Sequence, residues 1–221
     1  MNLSGDTINL LKNFADINAN ILIKEGSKLS TISTMKNILA EADITENFDQ
    51  EFAIYDLPEF LRSIDLFSKP KLEFNGGSNV MIADENSKQK IKYFFADKSV
   101  IVAPSKGITM PDSFVSFTLK REMFDKLMKG VTTLNLPDVS VVGDGTMIRL
   151  VAADRKNNTS NTYSVDVVES DKKFSANYKA ENFKLITDDY DVNIASQKIS
   201  HFVNRSRPVQ YWIALEPDST F

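Results

Sequence analysis

The residues of this 221-residue chain best suited to engage a ligand are basic. Lys120, Arg121, Lys126 and Lys129 together make its most basic short segment. Such side chains donate to phosphate oxygens, contacts that carry no base selectivity. Lys and Arg on a solvated helix face are also the ordinary condition of a protein surface. Catalytic groupings are poorly represented. His201 is the only histidine and the chain has no Cys. The run Gln197 to Ser200 before it has neither metal-ligand nor triad spacing, so His201 reads as a surface or strand residue. Asp188, Asp189 and Asp191 lack the spaced oxygen ligands and turn glycine of a calcium loop and read as a solvated helix end. Gly143, Asp144 and Gly145 are followed by no Lys-Ser/Thr pair, which makes them a hairpin turn rather than a phosphate loop. No catalytic residue, metal or cofactor is expected.

Composition narrows the class. With 42% apolar residues, the chain can bury one large core or two ordinary ones. Charged residues make up 25% and the net charge is −4, opposite in sign to that of a simple nucleic-acid binder. The absence of Cys excludes a disulfide scaffold, thiolate catalysis and Cys-built zinc sites, and fits a reducing cytosol. No apolar run is long enough to span a bilayer, and the first residues do not read as a signal peptide, so neither secretion nor membrane insertion is expected.

The elements that must position the basic residues repeat. Phe52 to Ile64, FAIYDLPEFLRSI, returns at Phe174 to Ile186 as FSANYKAENFKLI, each reading as a strand that runs into a short helix. Without gaps, Phe52 falls on Phe174, Glu59 on Glu181, Arg62 on Lys184 and Ile64 on Ile186. The helical block from Ile8 answers the block from Glu122, setting Leu10 on Phe124, Lys12 on Lys126 and Ile17 on Val131. Glu25-Gly26 answers Asp144-Gly145, and Tyr93 in a closing strand answers Tyr211. Blocks repeating in order predict two similar units.

Ser4 is a suitable N-cap for a first helix whose Leu10, Phe14 and Ile17 share a face. A second starts near Asp56 with Pro58 in its first turn and buries Leu57, Phe60, Leu61 and Ile64. Strand patterns predict hairpins about Glu25-Gly26 and Gly76-Gly77. Residues 98–112, with Pro104, Gly107 and Pro111, read as a connector between units 1–97 and 113–221, lying along a sheet edge because Val100 to Val102 are apolar. A third helix starts at Lys120 and buries Met123, Phe124, Leu127 and Met128, with Gly130 as its end. Basic residues on the polar faces of the four expected helices are Lys12, Arg62, Lys120, Arg121, Lys126, Lys129, Lys179 and Lys184.

LLKNFADIN, AIYDLPEFL, VIVAP and ALEPDST, in that order, make the sequence resemble the DNA polymerase sliding clamps, or processivity factors, of T-even-type bacteriophages. The resemblance implies an α+β fold of two similar clamp domains, each with antiparallel sheets and two helices, assembled as a homotrimer into a pseudo-sixfold ring around double-stranded DNA. It implies that the eight basic residues line the hole, and that short peptides of DNA polymerase and other partners dock in an apolar pocket for which Ile101, Val102, Pro104, Leu215 and Pro217 are candidates. It further implies loading by a separate clamp loader ATPase, a link to late transcription, and a place in the cytoplasm of the infected bacterial host. A net negative charge suits a ring retained by topology, since weak phosphate affinity permits sliding. The alternative is a non-catalytic two-domain structural or assembly protein that encircles nothing.

Overall fold

A computed structural model describes residues 1–84 and 88–221 and divides the chain into two compact units, Met1–Gly107 and Ile108–Phe221. The division falls inside the stretch expected to connect them. In the first unit, helix α1 (Gly5–Ile17) is followed by β1 (Ile21–Ile23), β2 (Gly26–Ile32), β3 (Ile38–Phe48), β4 (Phe52–Ile54), helix α2 (Leu57–Asp65) and the antiparallel meander β5 (Pro70–Phe74), β6 (Asn79–Asp84) and β7 (Lys90–Phe94). In the second, β8 (Val115–Leu119), helix α3 (Arg121–Leu134), β9 (Asp138–Asp144), β10 (Met147–Ala153), β11 (Tyr163–Glu169) and β12 (Lys173–Lys179) precede β13 (Tyr190–Ala195), β14 (Ile199–Asn204) and β15 (Val209–Ala214). Its strands run in the orders β11-β10-β9-β12 and β15-β14-β13-β8. No helix among the described residues is long and apolar enough to cross a membrane.

The helices begin where the caps predict. Ser4 Oγ accepts the Thr7 N–H, and Glu46 on β3 accepts the Ser4 N–H and, at 2.6 Å, the Thr7 hydroxyl, tying the start of α1 to the sheet. Asp56 accepts the Glu59 N–H at 2.7 Å at the start of α2. Leu10, Leu11, Phe14 and Ile17 of α1 and Leu57, Phe60, Leu61 and Ile64 of α2 are buried, each contributing about 1.5–3 kcal/mol of apolar transfer. The repeated phenylalanines anchor aromatic clusters. Phe52 packs against Phe48, Phe74 and Phe95 in the first unit, and Phe174 against Phe114 and Phe221 in the second.

Three expectations are corrected. β1 forms no hairpin with β2; it pairs antiparallel with β4, Ile23 opposite Phe52, while β2 pairs with β3. At the answering turn of the second unit the hairpin β9–β10 does close, because Asp144 accepts the N–H groups of Thr146 and Met147. The longer side chain of Glu25 makes no such bond among the described residues, and the turn opens.

Gly130 does not end α3 but lies within it, and the helix stops at Asn135, whose φ of 52° puts it in the left-handed region. Gly130 is there because Tyr163 of β11 crosses the helix: a Cβ on Gly130 would stand 2.7 Å from the ring. The fourth helix is a single 3-10 turn, Ala180–Asn182, so among the described residues the second unit has one α-helix and not two. Lys179 at its start supplies no side-chain cap. Phe183 and Leu185 are buried with Lys184 exposed between them, a period of two that an α-helix cannot present to one face.

Gly130→Ala tests the crossing. Alanine in an isolated helix is favoured by about 1 kcal/mol over glycine, yet here the substitution is expected to destabilise by about 1–3 kcal/mol through overpacking against the root of Tyr163, read as a lower urea midpoint.

Candidate nucleic-acid interface

Burying one face of each helix fixes which side chains face water. Lys12 on α1, Arg62 on α2 and Arg121, Lys126 and Lys129 on α3 are all exposed, opposite the buried stripes. They differ in what surrounds them. Arg62 and Lys129 make no ion pair among the described residues. Lys12 Nζ lies 3.4 Å from Asp65 and spans α1 and α2. On α3, Arg121 Nε is 3.6 Å from Asp125, and Lys126 Nζ is 2.5 Å from Glu122, each four residues away. The hydrogen bond between them, with their charge attraction second, raises the pKa of Lys126 and lowers that of Glu122. Exposed pairs of this kind hold their partners weakly, so a phosphate competes for the cation at little cost.

Lys120 and Lys179 sit differently. Lys120 Nζ donates to Asp189 at 2.8 Å, and the same carboxylate accepts the Arg121 N–H at 2.8 Å, so Asp189 caps α3 from the segment leading into β13. The Arg121 N–H bond, then that of Lys120, holds the Asp189 carboxyl below its usual range. Lys179 Nζ donates at 2.6 Å to Asp138, whose side chain is only 3% exposed. Burial by itself would raise the Asp138 carboxyl, but the bonds from Lys179 and from the Arg155 N–H outweigh it, and the group stays ionised below its ordinary value. Both lysines brace the fold. Lys184 is exposed on the segment after the 3-10 turn.

The acidic trio is not a solvated helix end. Asp188 accepts from the Ser206 hydroxyl at 3.0 Å, Asp189 holds Lys120, and Asp191 lies 3.7 Å from Arg205 and accepts from Thr118 at 3.1 Å. No group of His, Asp and Glu among the described residues is placed to hold a metal ion. His201 stacks on Trp212 at 4.5 Å between ring centroids and meets Gln210 Oε1 at 2.9 Å.

The apolar candidates are each held by their own unit. Ile101, Val102 and Pro104 are half-buried in an extended stretch of the first. The Val102 N–H donates to Asn20 Oδ1 at 3.1 Å and its carbonyl accepts from Asn18 at 3.2 Å, which pins the stretch beside the loop between α1 and β1. Pro104 borders a cleft of about 230 Å³ whose rim includes Lys24, Lys28 and Lys106. In the second unit, Leu215 is 7% exposed and belongs to the core, whereas Pro217 is exposed.

Sequence reasoning missed the carboxylates that neutralise the basic residues. Glu122 and Asp125 were legible as partners four residues from Lys126 and Arg121. Asp138 and Asp189 were not, because chain segments 41 and 69 residues away bring them in.

Breaking the Lys179–Asp138 pair checks its bracing role. Lys179→Met is expected to cost about 1–3 kcal/mol at neutral pH by leaving a buried carboxylate without its charged donor. Because the folded pKa of Asp138 is lowered, its contribution is complete above the unfolded value of about 3.9 and lost as the pH falls through the folded one. The difference in urea midpoint between the variant and the parent should therefore shrink in acid.

Residues 4–103 match the family model described as DNA polymerase processivity factor. The chain is 34% identical over 223 residues to a sliding clamp of Vibrio phage KVP40, covering 98% of this chain and 99% of that one. It is 31% identical over 228 residues to the sliding clamp of Escherichia phage RB69, covering 100% and 99%. Among solved structures it resembles PCNA from Thermococcus kodakaraensis with a TM-score of 0.69, 13% identity and 96% of each chain covered. Proliferating cellular nuclear antigen from Entamoeba histolytica follows at a TM-score of 0.66, 16% identity and 95% and 94% coverage. At such low identity these two likenesses show the fold.

Proposed function

The chain belongs to the phage sliding clamps, and from that premise we propose that it is a DNA polymerase processivity factor, a non-catalytic homotrimeric ring that encircles double-stranded DNA. The observation that carries the reading is the 34% identity to a phage sliding clamp across 98% of the chain. The geometry supports it through the sheet edges. β7 and β11 are end strands in their sheets, so each presents a row of unpaired N–H and C=O groups. Each also displays an apolar side chain, Phe94 at 62% exposure on β7 and Val168 at 43% on β11. Pairing β7 of one copy with β11 of the next would satisfy both edges, and a head-to-tail contact of this kind closes into a ring when its rotation allows.

Inside such a ring the exposed cations of the helices serve as sequence-independent phosphate contacts. Arg62 and Lys129 are the foremost, Lys12, Arg121 and Lys126 are held by exchangeable pairs, and Lys184 joins them from the segment after the 3-10 turn. Lys120 and Lys179 belong to the fold first. With a net charge of −4 the ring repels DNA overall, so retention is topological and local contacts stay weak enough to slide. Partner peptides from the polymerase dock against the stretch containing Ile101, Val102 and Pro104. A separate ATP-dependent loader opens the ring, the work takes place in the infected bacterial cell, and a role in late transcription belongs to the same reading.

Light scattering over a dilution series should show a species of three chain masses that dissociates on dilution, and Phe94→Glu with Val168→Glu should shift it to the monomer while circular dichroism is unchanged. A parent protein that is monomeric at every concentration returns the chain to a two-domain assembly protein without encirclement. Arg62→Glu with Lys129→Glu should leave the trimer intact and lower polymerase processivity severalfold in assays with the cognate loader; full processivity would remove these residues from the DNA contact.

A further inference from the structure

The hairpin between β5 and β6 turns through Asn75, Gly76 and Gly77, and no part of the clamp reading uses it. Asn75, Gly76 and Gly77 are exposed, and Gly76 has a φ of 68°. A side chain on Gly76 would meet nothing within 4 Å, so neither crowding nor a packed neighbour restrains the peptide group that follows Asn75. Among the described residues neither the Asn75 side chain nor the Gly76 N–H has a hydrogen-bond partner. The strand pairing stops just short of the turn, at Phe74 opposite Val80. An asparagine amide carbon is thus left beside an unhindered, unengaged backbone nitrogen on a turn with the freedom glycine allows.

We propose that Asn75 is a site of spontaneous deamidation. The Gly76 amide nitrogen gives up its proton and bonds to the Asn75 side-chain carbonyl carbon, while the bond from that carbon to the side-chain nitrogen breaks and ammonia leaves. The resulting five-membered imide is opened by solvent water. Cleavage between the ring nitrogen and the side-chain carbon gives aspartate, and cleavage between that nitrogen and the main-chain carbon gives isoaspartate. No oxidant or reductant takes part. Either product adds a negative charge, and isoaspartate also lengthens the backbone of the turn by one methylene.

Asp144-Gly145 is the internal contrast, since an aspartyl-glycyl bond reaches the same imide. There the Asp144 carboxylate accepts from the Thr146 N–H at 2.8 Å, the Thr146 hydroxyl at 2.7 Å and the Met147 N–H at 2.9 Å, and pairs with Arg149. The nitrogen of Gly145 is engaged as well, donating to the Lys172 carbonyl at 3.1 Å. Both reacting atoms are held in hydrogen bonds that the imide would break.

The test is to incubate the full-length folded protein in warm, mildly alkaline buffer and follow each asparagine by peptide mass spectrometry, with isoaspartyl methyltransferase labelling as an independent readout. Conversion at Asn75 should run severalfold faster than at any other asparagine. Asn75→Gln should abolish most of the early methyl labelling, and the peptide holding Asp144 should gain no isoaspartate on the same timescale. Retention of the Asn75 amide while urea-unfolded protein loses it would overturn the proposal, as would conversion at Asn75 no faster than elsewhere. The readout is covalent and independent of oligomeric state, so its failure is distinct from failure of the clamp reading.

Discussion

A strand at the end of an antiparallel sheet leaves half of its backbone polar groups without partners, and most of this architecture follows from how each edge is answered. At β5 the backbone of Met1 exchanges bonds with Leu72, the amine donating to the Leu72 carbonyl and the Leu72 N–H donating back. At β12 the segment after β15 does the same work. Thr220 and Ser175 exchange both backbone bonds, Glu216 donates to the Asn177 carbonyl, and Ser219 Oγ accepts the Asn177 N–H. Phe221 then stacks on Phe174, so closure of the edge and completion of the aromatic cluster are one event. Among the described residues, β7 and β11 receive no such cover from within their own units.

The position of the cations is a consequence of burial rather than a separate design. Each helix sinks an apolar stripe and leaves its basic residues on the outer face. They alternate with acids, as Lys126 does with Glu122 and Arg121 with Asp125, so part of their charge is met within the helix itself. The mixed surface and the negative net charge agree with each other.

The units are similar without being equal, and the differences follow from a few residues. Asp56 caps α2, whereas Lys179, just before the 3-10 turn of the second unit, offers no side-chain acceptor and spends its charge on Asp138. Asp144 closes a hairpin turn that Glu25 leaves open. Tyr93 and Tyr211 occupy matching strands but bond differently: the Tyr93 hydroxyl donates to the Asp56 carbonyl at 3.3 Å, whereas the Tyr211 hydroxyl accepts the Ile186 N–H at 3.4 Å. Burial first, then the carboxylates of Glu59 and Asp56, pushes the Tyr93 hydroxyl up to about 12.

What the sequence determined by itself is what short-range physics controls. Helix starts at Ser4 and Asp56, the apolar stripes of α1 and α2, the turn at Gly76 and the order of the repeated blocks depend on side chains within a few residues of one another. The tertiary structure alone decided which lysines are spent on buried or capping carboxylates, that β1 seeks β4 instead of its neighbour in sequence, that Tyr163 keeps Gly130 inside a helix it was expected to end, and that Leu215 is core while Pro217 is surface. Each of these depends on groups far apart along the chain. Their energies exist only once the sheets have brought those groups together, and local sequence carries no record of that distance.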